Sequence, residues 1–242
     1  MRRHGRGESG TTIVEIAVGL AVGALLVAGI LVLVEQAQKG YIHSSEVTDL
    51  QQNVRVSMDR MVRIIQAAGV NPLNRQWGGA TANDVAFTAF REAGRNCIRV
   101  YADLNGDGFV TGTDENVYFH WPTTPSTGAP LRETRGTSAG QPDAGQAWVA
   151  VSTGAEELAR DIVANPGGSV MFRYFTGIND PLGAPNTELA PPALSTTTCA
   201  SLSDAQRARV ARVLITVTGQ ATIGGQTLKK TLTSDARPRN VP

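Results

Sequence analysis

Oxygen-bearing side chains crowd one short stretch of this sequence, from Asp103 to Glu115. Counted from Asp103, they fall at positions 1, 3 and 5 (Asp103, Asn105, Asp107), with Gly108 at position 6 and the apolar Val110 at position 8. Phe109 offers a backbone carbonyl at position 7, Thr111 stands at position 9, and Asp114 closes the set at position 12 with Glu115 beside it. Carboxylates gathered this closely repel one another unless a cation lies among them, and calcium takes 6–8 oxygens of this kind. The same residues also suit a plain hairpin loop, where Asn-Gly and Asp-Gly supply positive φ angles and the acids are solvated. Both readings stand at this point.

The ligand order is that of an EF-hand calcium loop, with an acid other than Glu at position 12 as in dockerin-type loops. Strands rather than helices are predicted on either side, at Cys97–Ala102 and Asn116–Trp121. Any ion held here would be structural or regulatory, because nothing nearby suggests hydrolysis. Other candidates for chemistry are weaker. His43 and His120 are the only histidines beyond residue 10, and no GxSxG, Walker or dinucleotide fingerprint accompanies them. No enzyme is expected. Arg207, Arg209 and Arg212, with Lys229 and Lys230, read as solvated charges at strand edges or as a basic partner face. A formal net charge of +1 gives no excess that argues for nucleic acid.

A second carboxylate is out of place in another way. Glu15 heads Ile16–Val34, a run of 19 residues without a charge, close to the ~20 that cross a bilayer as a helix. An acid within a membrane segment costs roughly 2.5–3.5 kcal/mol on insertion scales, so it calls for a partner charge. A basic leader with Arg2, Arg3 and Arg6 precedes the run. An ordinary secretory signal would have a shorter apolar core and a small-x-small cleavage site, and Val34-Glu-Gln-Ala-Gln38 is a poor one. A plain anchor leaves Glu15 without a purpose.

Past Val34 the pattern becomes amphipathic. Val47, Leu50, Val54, Met58, Met61 and Ile65 recur at three- and four-residue steps and predict one buried stripe, with Asp49, Arg55, Asp59 and Arg63 on other faces. Ala68-Gly69, with Asn71-Pro72 beyond, is the expected stop. One helix from Thr11 to Gly69 would measure roughly 85–90 Å, with Gly40 as a possible bend. Small-residue pairs at Gly19/Gly23 and Ala24/Ala28 would allow close helix contact. From Asn71 onward, short β-branched and aromatic runs alternate with turn residues. Strands are predicted at Asp84–Phe90, Cys97–Ala102, Asn116–Trp121, Trp148–Val151, Ser169–Phe175, Ala208–Thr218 and Thr227–Ser234. Loops are predicted at Pro122–Gln146 and Asn179–Asp204, and a helical turn at Glu156–Val163. The fold class is α+β: a long N-terminal helix packed on an antiparallel sheet.

Gly10, a five-residue step to Glu15, and then an apolar helix resemble the class III signal of type IV pilins and pseudopilins. The resemblance implies that a membrane-embedded prepilin peptidase cuts between Gly10 and Thr11 and methylates Thr11, where the family usually has Phe. It also implies that Glu15 neutralises the new amine of a neighbouring subunit, each buried charge being satisfied only in the assembly. Phe-Arg-Tyr-Phe at 172–175, Arg-Val-Leu-Ile-Thr-Val at 212–217 and Arg-Pro-Arg-Asn at 237–240 extend the similarity to the PilW-like minor pilins. The implied parts are a leader over 1–10, a helix over 11–70 with its transmembrane portion at 11–34, and a periplasmic or extracellular head over 71–242. The implied role is in a priming and tip complex, with other minor and major pilins and a large adhesin as partners. The protein would lie in the inner membrane before assembly and in the filament afterwards. A minor pseudopilin of type II secretion is the near alternative, and a membrane-anchored periplasmic binding domain the distant one.

A head outside the inner membrane lies where disulfides persist. Cys97 and Cys199, the only two cysteines, either pair there or remain as two buried thiols. Without a CxxC or a histidine cluster, they are not expected to bind a metal.

Overall fold

The computed structural model describes residues 12–69, 89–102, 104, 115–121, 129–136, 155–168, 170–177, 186–193 and 199–238. The chain divides into two compact units, Met1–Glu46 and Val47–Pro242. Helix α1, Ile13–Ala67, begins in the first and ends in the second, and it stays helical through Gly40.

In the first unit none of the described residues is buried, and the apolar side chains from Ile13 to Val34 are all exposed. This is the one helix among the described residues long and apolar enough to cross a membrane. A Cβ added at Gly19 or Gly23 would meet nothing within 4 Å. Packing among the described residues therefore does not require these positions to be small.

In the second unit the expected stripe is the one that packs. Leu50, Val54, Met58, Met61 and Ile65 are buried, joined by Ser57 and Ile64, while Val47 at the margin is half-buried. Asp49, Arg55, Asp59 and Arg63 are exposed. Gly69, at φ 81°, ends the helix, and its N–H donates to the Tyr101 carbonyl at 3.0 Å. A left-handed residue just past the last turn is the usual role of such a glycine.

The stripe lies on an antiparallel sheet of nine strands among the described residues. They are β1 Phe90–Ala93, β2 Cys97–Tyr101, β3 Asn116–His120, β4 Ala129–Gly136, β5 Glu156–Val163, β6 Phe172–Thr176, β7 Glu188–Leu189, β8 Val210–Ile223 and β9 Gln226–Ala236. The order is β1-β2-β3-β4-β5-β8-β6-β7, with β9 pairing β8. Alternate residues supply the core under α1: Ile98 and Val100, Val117 and Phe119, Leu131, Phe172 and Tyr174, and Val213, Ile215 and Val217. A one-turn helix, α2 (Asp204–Arg207), is closed by a Ser203/Gln206 capping box.

Several elements differ from the sequence-based expectation. The stretch expected as a loop at 122–146 contains β4, an interior strand between β3 and β5. Pro130 lacks the N–H a ladder needs, and the register shifts between Ala129 and Leu131. One inward position is the charged Glu133, so Leu131 is left as the main sign of a strand. Glu156–Val163 is a strand, not a helical turn. Asp161 sits at φ 53°, and Leu131 faces Ala159 while Ala129 faces Ile162. The irregularity brings Ala159 and Ile162 inward three residues apart, a spacing that reads as helical. The loop expected over 179–204 holds β7 and the start of α2. Residues 84–88 and 148–151, expected as strand, lie outside the described residues.

Candidate functional site

At the start of α1, Thr12 and Glu15 have the spacing of a capping box and form one of its two side-chain bonds. The Thr12 N–H donates to Glu15 Oε2 at 3.2 Å, and the Glu15 N–H donates to the Thr12 carbonyl at 3.0 Å. The carboxylate thus meets the Thr12 N–H at the positive end of the helix dipole. Thr-x-x-Glu is legible in the sequence as a helix-start spacing. Gly10 and Thr11 lie outside the described residues.

Two polar ties join the head-packed half of α1 to the sheet. The Ser57 hydroxyl donates to the Leu158 carbonyl at 2.7 Å. The Arg60 guanidinium grips both carboxylate oxygens of Glu133, Nη2 at 2.8 Å and Nε on the other oxygen, and Arg135 Nε binds there as well. Glu133 is 1 % exposed, so a buried carboxylate is held by two cations. Such pairing is what makes a buried charge tolerable.

On the sheet face away from α1, cross-strand neighbours form a second buried layer. Glu92 of β1 faces Arg99 of β2, which faces Tyr118 of β3. Arg99 Nη2 lies 3.5 Å from Glu92 Oε1, and its guanidinium lies 4.9 Å over the Tyr118 ring. Tyr118 stacks on His120 at 5.2 Å. All four are buried. Burial pushes the Glu92 carboxyl up, with the Arg99 charge pulling the other way. Burial also raises the Tyr118 hydroxyl, with the Glu92 charge adding to it. Burial lowers His120 to about 4, helped by the Arg132 charge, and Arg132 is its cross-strand neighbour on β4. By alternation these residues read as outward and solvated, and apart from His120, singled out as a histidine, nothing in the sequence marked them.

The bridge between Cys97 and Cys199 belongs to this layer and packs with Tyr118. Their Cα atoms are 5.9 Å apart across 102 residues of sequence. Gly94 fits beneath the two sulfurs: a Cβ there would stand 2.8 Å from Cys199 Sγ and 2.9 Å from the Ala200 carbonyl. The segment after Cys199 is tied to β1 by the Leu202 N–H to Ala93 carbonyl bond, 3.0 Å, and by the Ala93 N–H to Ser201 hydroxyl bond, 2.8 Å.

Of the oxygen set from Asp103 to Glu115, the positions Asp103, Asn105, Asp107, Phe109, Thr111 and Asp114 lie outside the described residues. Glu115 is buried just ahead of β3. Among the described residues no group of three or more His, Cys, Asp or Glu side chains gathers as a metal set. The basic residues do not form one face. Arg207 is buried, donating to the Leu202 carbonyl at 2.7 Å and pairing with Asp204. Arg212 lies 4.2 Å over the Phe175 ring and 3.6 Å from Asp235.

No protein-family model, no curated protein and no solved structure matches the chain. The arrangement itself, a long apolar N-terminal helix whose far half packs on an antiparallel sheet with a disulfide in the head, is pilin-like.

Proposed function

We propose that this chain is a minor pilin of a type IV pilus, similar to the PilW-like subunits, acting as a structural and interaction protein rather than an enzyme. The observation that carries the reading is the charge-free run Ile16–Val34, exposed along its whole length and headed by Gly10-Thr-Thr-Ile-Val-Glu15. Such a surface needs lipid or other apolar helices around it. Gly19 and Gly23, not required to be small by packing among the described residues, suit close packing against a neighbouring helix. A head carrying a disulfide fits a compartment outside the cytoplasm. Prepilin peptidase would free Thr11 as a methylated amine. Glu15, one turn into α1, would meet the amine of the next subunit in place of its own Thr12 N–H. Before assembly the helix would hold the protein in the inner membrane. Afterwards it would join other pilins in a priming and tip complex that displays an adhesin.

The test is the intact mass and N-terminal sequence of the protein taken from its host's membranes. A chain beginning at methylated Thr11 is expected, and Glu15→Ala should be processed normally yet fail to enter filaments. An uncut chain in a strain with active peptidase would overturn the reading.

A further inference from the structure

We infer that the edge of β9 left unpaired among the described residues is a homotypic interface, at which two copies of the head join their sheets as antiparallel neighbours. Among the described residues β9 pairs with β8 alone. The pairing is continuous from Ile223↔Gln226 to Val213↔Ala236. The two strands are linked by Gly224-Gly225, both at positive φ (57° and 81°), a two-residue turn of the kind that closes tight hairpins. Residues flanking such a turn form a hydrogen-bonded pair. Gln226 and every second residue after it therefore bond to β8. Thr227, Lys229, Thr231, Thr233 and Asp235 turn their N–H and C=O groups away from β8, and all five are exposed. An edge of this length with its ladder open is a template for another strand.

What should occupy it is decided by the register. Antiparallel self-pairing centred on Leu232 sets Lys229 opposite Asp235 of the second copy, twice, and Thr231 opposite Thr233, twice. On the core side it sets Leu232 against Leu232 and Leu228 against Ala236. Leu232 already packs at the margin of the core, so this register continues the apolar layer from one sheet into the next. Sliding by two residues breaks the match. One direction puts Lys229 opposite Thr233; the other puts it opposite Arg237, and like charges facing across strands are destabilising. Centring on Lys230 or Lys229 sets a lysine against itself. Lys229 has no ion-pair partner among the described residues, while Asp235 has Arg212 at 3.6 Å. The strand is thus self-complementary in one register, as a two-fold interface requires.

The two-fold that relates antiparallel edge strands stands normal to the sheet. It reverses the head-packed half of α1 together with β9.

The experiment uses the full chain in detergent. Leu232→Cys should give a disulfide-linked dimer under mild oxidation, and Thr222→Cys, beyond the overlap at the hairpin tip, should not. In sedimentation velocity the dimer fraction should rise with concentration. Lys229→Asp should weaken it by roughly tenfold, since it sets acid against Asp235. Mixing Lys229→Asp with Asp235→Lys should restore pairing between the two variants, an outcome that damage to either fold would not produce. A chain monomeric at every concentration, equal cross-linking at both cysteines, or a dimer indifferent to Lys229→Asp would each overturn the proposal.

Discussion

His120 shows what a buried ring on the far face of the sheet does to stability. Its imidazole is held at about 4 by burial and the Arg132 charge, against ~6.5 in an unfolded chain. It is neutral in the fold at neutral pH. As pH falls from 6.5 toward 4, the unfolded chain takes up a proton that the fold refuses, so stability is lost through that window, by at most about 3 kcal/mol. Glu92 acts in the opposite sense. Its carboxyl, pushed up by burial, is protonated in the fold before it is in the unfolded chain, which offsets part of the loss as pH falls. A difference between two proteins isolates the histidine. Denaturant unfolding of the full chain at pH 7 and pH 4.5 should show a smaller acid loss for His120→Phe, which keeps a ring against Tyr118, than for the parent. Equal losses would mean that His120 titrates as it does in water. At Thr12–Glu15 the four-residue Thr-x-x-Glu spacing is legible in the sequence, and the bond from the Thr12 N–H to Glu15 Oε2 follows from it. The Glu92–Arg99 pair has no such signature, because strand alternation assigns both to solvent, whereas the fold buries them.

Where elements cross, spacing decides. Strand β8 passes over α1 at Gly219, where a Cβ would stand 2.7 Å from Val54 Cγ2 and 2.8 Å from Leu50 Cδ1. Both are core side chains, and overpacking of this kind costs roughly 1–3 kcal/mol. Gly219→Ala should therefore lower the unfolding free energy by that amount. Shortening the obstruction with Leu50→Ala should make the double variant lose less than the sum of the two single losses. Strict additivity would show that the helix moves away instead. The glycine is legible in the sequence as a break in an otherwise β-branched strand, yet its cause is not, since it lies in a helix about 170 residues earlier. The same limit explains the strands that went unread. The α1 stripe and Val213, Ile215 and Val217 of β8 keep their period without interruption. In β4 and β5 a proline, a left-handed Asp161 and an inward Glu133 each cancel the alternation, and Glu133 makes sense only once Arg60 of α1 is seen to hold it.

At the scale of the whole molecule, the chain is two units with different needs, and the disulfide serves one of them. Met1–Glu46 has no buried core among its described residues; its helix depends on the apolar surroundings it is given. Val47–Pro242 has a core, and Cys97–Cys199 fastens the segment that runs from residue 199 through α2 into β8 onto the start of β2. Closing 102 residues removes enough freedom from the unfolded chain to stabilise the head by up to ~4.7 kcal/mol in the chain-entropy model. Replacing both cysteines by alanine should therefore lower the head's unfolding free energy by an amount approaching that figure, followed through tryptophan fluorescence in detergent. The helical signal of the apolar segment should persist through the same titration, because the bridge closes no loop that includes it. A head equally stable with and without the bridge would mean that the bonds from Leu202 and Ser201 to Ala93 already fix this segment, and that the sulfurs record the compartment rather than support the fold.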